Sequence, residues 1–314
     1  MGIFLQLLTA IVLSALTVQA YSVVEVYDDE GTQITLAIPA QRIVSLAPSL
    51  TELIYSAGAG ENLVGVVEHS DFPAAAKALP IVGRFDLLDI ERILELDPDL
   101  VVAWQTGNPR SSVHQLRQLG LTVYVAEPKS LAAIPSHIER LAVLAGKELN
   151  DLKVIYDFRQ KLEVLDSKYR HQSPVTIFYQ VWDRPLITAG GNELINDIIR
   201  LCGGRNVFAN IRRVAPKVSR EAVLKRNPEV IIASGMDIER PEWLDDWLRW
   251  PSLKAVANKN LFFVPPDLLQ RHTPRALLGA AQICDQLDQA RSTPTNLHVI
   301  TGFLLLDTLP RCEI

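Results

Sequence analysis

Residues 91–103 read Glu91-Arg-Ile-Leu-Glu-Leu-Asp-Pro-Asp-Leu-Val-Val-Ala103, and residues 221–233 read Glu221-Ala-Val-Leu-Lys-Arg-Asn-Pro-Glu-Val-Ile-Ile-Ala233. The two stretches align without a gap at an offset of 130. Each copy is a short helical pattern, a Pro that cannot continue it, and an apolar run of strand length. A weaker match pairs Leu53-Ile54 and Gly58 with Ile198-Ile199 and Gly203, followed by Asn62-Leu63 and Asn206-Val207. Self-similarity at so long a period marks a duplicated supersecondary unit. Apolar strands alternating with helices belong to parallel sheets covered on both faces. The expected fold class is therefore α/β: two Rossmann-like lobes with parallel-rich central sheets, joined by one long helix, with a ligand cleft between them.

Outward from the repeat, the same alternation continues. In the first half, Arg42–Leu46, Asn62–Val67, Leu100–Trp104 and Val123–Ala126 read as strands; Ser49 or Thr51 is expected to cap a helix that Gly58 stops. Val23–Val26 and Gln33–Leu36 flank Asp28-Asp29-Glu30-Gly31 as a leading hairpin. In the second half, Val175–Val181, Val230–Ser234 and Leu261–Val264 are strands, and Arg275–Ala290 is the last helix. Between the halves, Val154, Phe158, Leu162, Leu165 and Tyr169 recur at helical spacing, predicting one long helix from near Leu149. The expected boundaries are an export signal over 1–20, an N-terminal lobe over 21–130, a bridging helix region over 131–172, a C-terminal lobe over 173–291 and a tail over 292–314. Gly302-Phe303-Leu304-Leu305-Leu306 in that tail is apolar and has no assigned place.

Residues 1–20 contain no charged side chain, and Val18-Gln19-Ala20 has the small-x-Ala form of a cleavage site. The apolar run Ile3–Leu16 is shorter than the roughly 20 residues a membrane helix needs, so export by a cleaved signal is favoured over a retained anchor. An exported chain meets an oxidising compartment, where two of Cys202, Cys284 and Cys312 can pair. Cys202 and Cys284 lie in helical patterns and Cys312 in the tail, which favours the first two. A net charge of −5 argues against nucleic-acid partners and anionic membrane surfaces. No GxSxG, HExxH, GxxxxGK[ST] or strand-following GxGxxG is present, and no Cys/His cluster has metal-ligand spacing, so no catalytic residue and no protein metal site is expected.

Open α/β sheets bind ligands at the carboxyl ends of their strands. His69 and Arg271-His272 follow predicted strands, Trp104 and Trp182 lie at the ends of theirs, and Phe85 precedes the repeat helix. Taken singly, Trp104 and Trp182 read equally well as core residues, and His69 as a surface histidine; together at strand ends they outline a cleft for a bulky planar ligand. His114, His137 and His171 fall on polar helix faces or ends and are expected in solvent. Glu91 and Glu221 open the repeated helices. Each complements a helix dipole, and as a pair, one per lobe, they also suit docking onto a symmetric basic partner.

Arg42-Ile-Val-Ser-Leu-Ala-Pro-Ser-Leu-Thr-Glu52, Ser70-Asp-Phe-Pro73, Asp89-Ile-Glu-Arg-Ile93, Asp97-Pro-Asp-Leu-Val-Val-Ala-Trp104, Leu201-Cys-Gly-Gly-Arg-Asn206 and Thr273-Pro-Arg275 resemble the class III periplasmic solute-binding proteins. Their cobalamin (vitamin B12)-binding branch is the most similar. The resemblance implies a monomeric periplasmic component of an ABC importer that binds cobalamin or a related corrinoid as cargo. It implies delivery to a permease dimer with its ATPase subunits, where Glu91 and Glu221 meet arginines, and it implies the Cys202–Cys284 pair. Trp104 falls on a cleft aromatic of that branch, while His69 stands where the branch has a Tyr, Phe85 where it has a Trp, Ala215-Pro216 in another aromatic region, and Leu268-Leu269 instead of aromatics follow Asp267. Haem or a ferric siderophore is the alternative cargo, since His69 could ligate a metal axially and Arg84, Arg184, Arg213 and Arg271 are available to an anionic ligand.

Overall fold

A computed structural model describes residues 23–235 and 238–292. The expected signal segment over 1–20, and the tail from 293 on with Cys312, lie outside the described residues.

The N-terminal lobe opens with an antiparallel hairpin, β1 (Val24–Tyr27) and β2 (Gln33–Leu36). Its main sheet contains β3 (Ile43–Ser45), β4 (Leu63–Val66), β7 (Leu100–Trp104) and β8 (Val123–Ala126) in the order β4-β3-β7-β8, all parallel. A two-residue ribbon, β5 (Gly83–Arg84) with β6 (Leu87–Leu88), projects after β4. The helices are α1 (Pro48–Ser56), α2 (Ile90–Glu95), α3 (Arg110–Gln118) and α4 (Ala133–Leu144). The connecting helix α5 spans Lys153–Tyr169. In the C-terminal lobe, β9 (Val175–Trp182) pairs in parallel with β11 (Gly204–Asn206) and β12 (Val230–Ala233), and β12 pairs with β13 (Leu261–Phe263). A short antiparallel strand, β10 (Ile187–Thr188), lies on β9 near its carboxyl end. Helices α6 (Leu194–Leu201), α7 (Arg220–Arg226), α8 (Lys254–Ala257) and α9 (Ala276–Ser292) complete this lobe.

The duplication is visible atom by atom. Order β4-β3-β7-β8 corresponds to order β11-β9-β12-β13, so the repeated strand is interior in both sheets. Asp89 caps α2 by accepting from Arg92 N, and Ser219 caps α7 by accepting from Ala222 N. Asp97 and Asn227 both leave their helices at φ 45°, a left-handed conformation these two residue types tolerate. Asp99 and Glu229 each turn a carboxylate onto backbone N–H groups at the start of the neighbouring first strand, at Arg42 and Thr176. Asn62 and Asn206, at the second strands, each donate a buried bond to the carbonyl of an earlier loop, Ala40 and Ala189.

One hydrophobic cluster runs through both lobes, joining Leu100, Val102, Val230 and Ile232 by way of α1, α4, α5, α6 and α9. Separate clusters cover the outer faces, with Ile93, Val101 and Ala103 in one and Val223, Ile231 and Ala233 in the other. Burying both faces of a parallel sheet explains why the repeated strands are apolar without alternation. The expected disulfide joins Cys202, after α6, to Cys284 in α9.

Three local expectations are corrected. The connecting helix begins at Lys153, because Leu149–Asp151 form a separate 3-10 turn and Leu152 has ψ 69°. Helix α1 has Ala47 at its cap and Pro48 in its first turn. Thr51 is buried and bonds Ser45 and Ser70 instead of capping. His137 is 3% exposed rather than solvated, with Nε2 2.6 Å from Asp29 Oδ2, because the leading hairpin folds over α4.

Candidate functional site

Both main sheets turn their carboxyl ends toward one cleft of about 1450 Å³. The N-terminal wall carries Pro48, Ser49, His69, Asp71, Phe85 and Trp104; the opposite wall carries Trp182, Arg184, the Gly235 and Ile238–Trp243 loop, Asp246, Pro266, Asp267, Gln270 and Arg271. All six side chains singled out in the sequence, His69, Phe85, Trp104, Trp182, Asp267 and Arg271, line it. Glu91 and Glu221 stand apart, exposed in the first turns of α2 and α7. The N–H of Glu221 itself and then the Ser219 hydroxyl bond its carboxylate and hold its pKa below the ordinary range.

The aromatic wall is built from the backbone. Strand β7 ends at Trp104, whose ring centroid lies 5.7 Å from that of Phe85 at an interplanar angle of 51°. Trp104 Nε1 donates to Glu127 Oε1 at 3.3 Å, and Glu127 Oε2 accepts from Thr106 N at 2.9 Å. Gly107 lies against the indole: a Cβ there would sit 1.8 Å from Trp104 Cε3. Across the cleft, Trp182 ends β9 and donates from Nε1 to Arg184 O. Phe85 and Trp182 are each 38% exposed, and both open onto this cleft.

The floor of the cleft is ionic. Arg271 Nη1 donates to Glu52 Oε1 at 3.0 Å and Asp71 Oδ1 at 2.6 Å, its Nη2 to His69 O at 3.2 Å, and its Nε lies 3.2 Å from Asp267 Oδ1. Arg275 adds a bidentate contact to Glu52 at 2.9 and 2.5 Å. Glu52 is on α1 and both arginines belong to the C-terminal lobe, so this cluster ties the lobes together. Burial opposes the charge on Asp71, but the Arg271 hydrogen bond and charge hold its pKa below the ordinary range. His69, at φ 64°, is exposed beside this cluster.

The guanidinium groups in the cleft are already engaged: Arg184 with Asp183, Arg240 with Asp245, and Arg271 as above. Five carboxylates, Asp71, Glu239, Glu242, Asp246 and Asp267, share the lining with these three arginines. Among the described residues no group of three or more His, Cys, Asp or Glu side chains could hold a metal ion. Glu52 and Asp71 escaped the sequence reading because their arginine partners lie at least 200 residues away, and Asn108 and Glu127 because no motif marks them. Only the Leu-Thr-Glu52 and Ser70-Asp71 motifs hinted at two of them.

The chain matches the family described as periplasmic binding protein over residues 43–268, and it belongs to that family. Among its relatives, the vitamin B12-binding protein of Vibrio cholerae serotype O1 is 39% identical over 254 residues, covering 81% of this chain and 91% of the relative. The vitamin B12-binding protein of Yersinia pestis is 37% identical over 255 residues, covering 80% and 89%. The crystal structure of the periplasmic vitamin B12-binding protein BtuF of Vibrio cholerae superposes with a TM-score of 0.75 at 38% identity, over 81% of this chain and 99% of that one. The periplasmic haem-binding protein HutB of Vibrio cholerae gives a TM-score of 0.66 at 26% identity, over 79% and 98%.

Proposed function

We propose that this chain is the periplasmic substrate-binding component of an ABC importer, taking cobalamin or a related corrinoid into the inter-lobe cleft and delivering it to the inner-membrane permease. The observation that carries this is a wide cleft with Trp104 and Trp182 at sheet carboxyl ends and Phe85 beside Trp104, in a chain 39% identical to a vitamin B12-binding protein. Aromatic faces offer large contact area to a flat macrocycle at little entropic cost. His69 presents an imidazole at the same cleft, a nitrogen donor suited to a cobalt or iron centre. No chemistry is asked of the protein; its work is capture and release.

Residues 1–20 serve as a cleaved export signal, and the mature protein acts as a monomer. Glu91 and Glu221 dock it on the permease dimer that carries the ATPase subunits, one lobe to each half. Haem is the second reading, favoured by His69 and by the likeness to HutB. The ionic lining disfavours it, since two propionates would enter a cleft whose arginines are paired and whose carboxylates outnumber them. Ferric siderophores, commonly anionic, meet the same obstacle.

Titration of the purified protein with cyanocobalamin, haemin and ferric siderophores, followed by tryptophan fluorescence and visible absorption, decides between them. Saturable quenching by cyanocobalamin at sub-micromolar concentration is expected. A Soret shift with haemin and no response to cyanocobalamin would refute the corrinoid reading.

A further inference from the structure

The two aromatic walls of the N-terminal lobe stand on separate segments, Phe85 in the turn between β5 and β6 and Trp104 at the end of β7. One side chain joins them. The carboxamide of Asn108, 5% exposed, accepts from Trp104 N at 2.6 Å through Oδ1. Through Nδ2 it donates to Phe85 O at 2.8 Å and to Leu46 O, just past β3, at 2.9 Å. Both amide hydrogens and the oxygen are therefore used, and three segments of the cleft's rim meet at one group.

We propose that Asn108 is a positioning residue for ligand binding, fixing the separation and tilt of the Phe85 and Trp104 rings before the ligand arrives. This rests on the cleft being the corrinoid site. Trp104 is held on three sides: its backbone by Asn108, its indole edge by Glu127 and its ring face by Gly107. Phe85 sits at the tip of a ribbon of two residues per strand, whose base is bonded to the chain after β4 through Gly83 O and Glu68 N, and Asn108 ties the tip itself to the end of β3 and to Trp104. A pair of walls set beforehand spares the ligand the entropy of ordering them. Only an amide of this length supplies an acceptor and two donors together: Asp lacks the donors and Ala lacks all three.

The test uses full-length protein labelled with 5-fluorotryptophan, the Trp104 resonance being assigned by Trp104→Phe. In Asn108→Ala, cyanocobalamin affinity should fall roughly tenfold, the worth of about one hydrogen bond. The Trp104 fluorine resonance should split or broaden, while that of Trp247, buried in the C-terminal lobe, stays in place. Asn108→Asp keeps an acceptor for Trp104 N but sets a carboxylate against two carbonyls; it should lose affinity comparably, and it serves if the alanine variant does not fold. A merely structural role would lower the melting temperature and leave both readouts unmoved. An unchanged Trp104 resonance, or wild-type affinity, in a folded variant overturns the proposal. If wild-type protein ignores cyanocobalamin, the corrinoid reading fails on its own, and the Trp104 resonance still decides whether Asn108 sets the wall.

Discussion

Glu193 enters the C-terminal lobe just before α6, and burial first, then the nearby Glu127 carboxylate, pushes its pKa up to about 7. His272, with Nε2 3.7 Å from Glu193 Oε2, is pushed down to about 4, chiefly by burial and secondarily by the His137 charge. The Leu194 N–H and Lys129 act against the shift of Glu193, and the Pro128 carbonyl against that of His272. The folded state holds the Glu193 proton more tightly than the unfolded chain does, so its contribution is present below about pH 4.5 and is lost as pH rises toward 7. For His272 the sense is opposite: its contribution is present above about pH 6.5 and is lost as pH falls toward 4. In the wild type the two offset each other. Glu193→Gln should leave an unfolding free energy that climbs with pH from about 4 to 6.5, and His272→Gln one that falls from about 4.5 to 7, each with a slope up to about 1.4 kcal/mol per pH unit in urea unfolding. Parallel pH profiles in the two variants would contradict this linkage. In the cleft, His69→Ala should weaken cyanocobalamin binding several-fold with no loss of thermal stability, as the side chain is exposed; calorimetric titration measures it. Residue-level reading of the sequence went furthest at strand ends and failed at His137, whose burial depends on Asp29, 108 residues earlier.

Helices and strands were legible wherever the signal was local. The repeat announced α2 and α7, each followed by a proline and a buried strand, because cap, periodicity and breaker all lie within a dozen residues. The start of α5 was not legible, since Leu149–Asp151 adopt a 3-10 turn and Leu152 leaves helical geometry at ψ 69° without a Pro or Gly to mark the break. Among the contacts between helices, the Cys202–Cys284 link ties α6 to α9 across a sequence separation of 82. A loop of that length restricts the unfolded chain enough that Cys202→Ser with Cys284→Ser should cost about 4 kcal/mol in urea unfolding. Ligand affinity should persist below the new midpoint, because neither cysteine lines the cleft.

Two lobes with matching strand orders set Glu91 and Glu221 at corresponding positions 130 residues apart. Reversing both, Glu91→Arg with Glu221→Arg, should abolish uptake in cells while leaving the affinity of the purified protein unchanged. Loss of ligand binding in that double variant would show that these residues serve the cleft instead. The architecture was readable because duplication repeats its own evidence, and the cleft because ligands gather where parallel strands end. Hidden from sequence was the bond that spans the lobes, Glu52 to Arg271 and Arg275 at separations of 219 and 223, since no local pattern encodes a partner so remote. That bond has a consequence for any parting of the halves: a buried carboxylate stripped of both its guanidinium partners is costly, so opening at the base must first break the Glu52 contacts to Arg271 and Arg275.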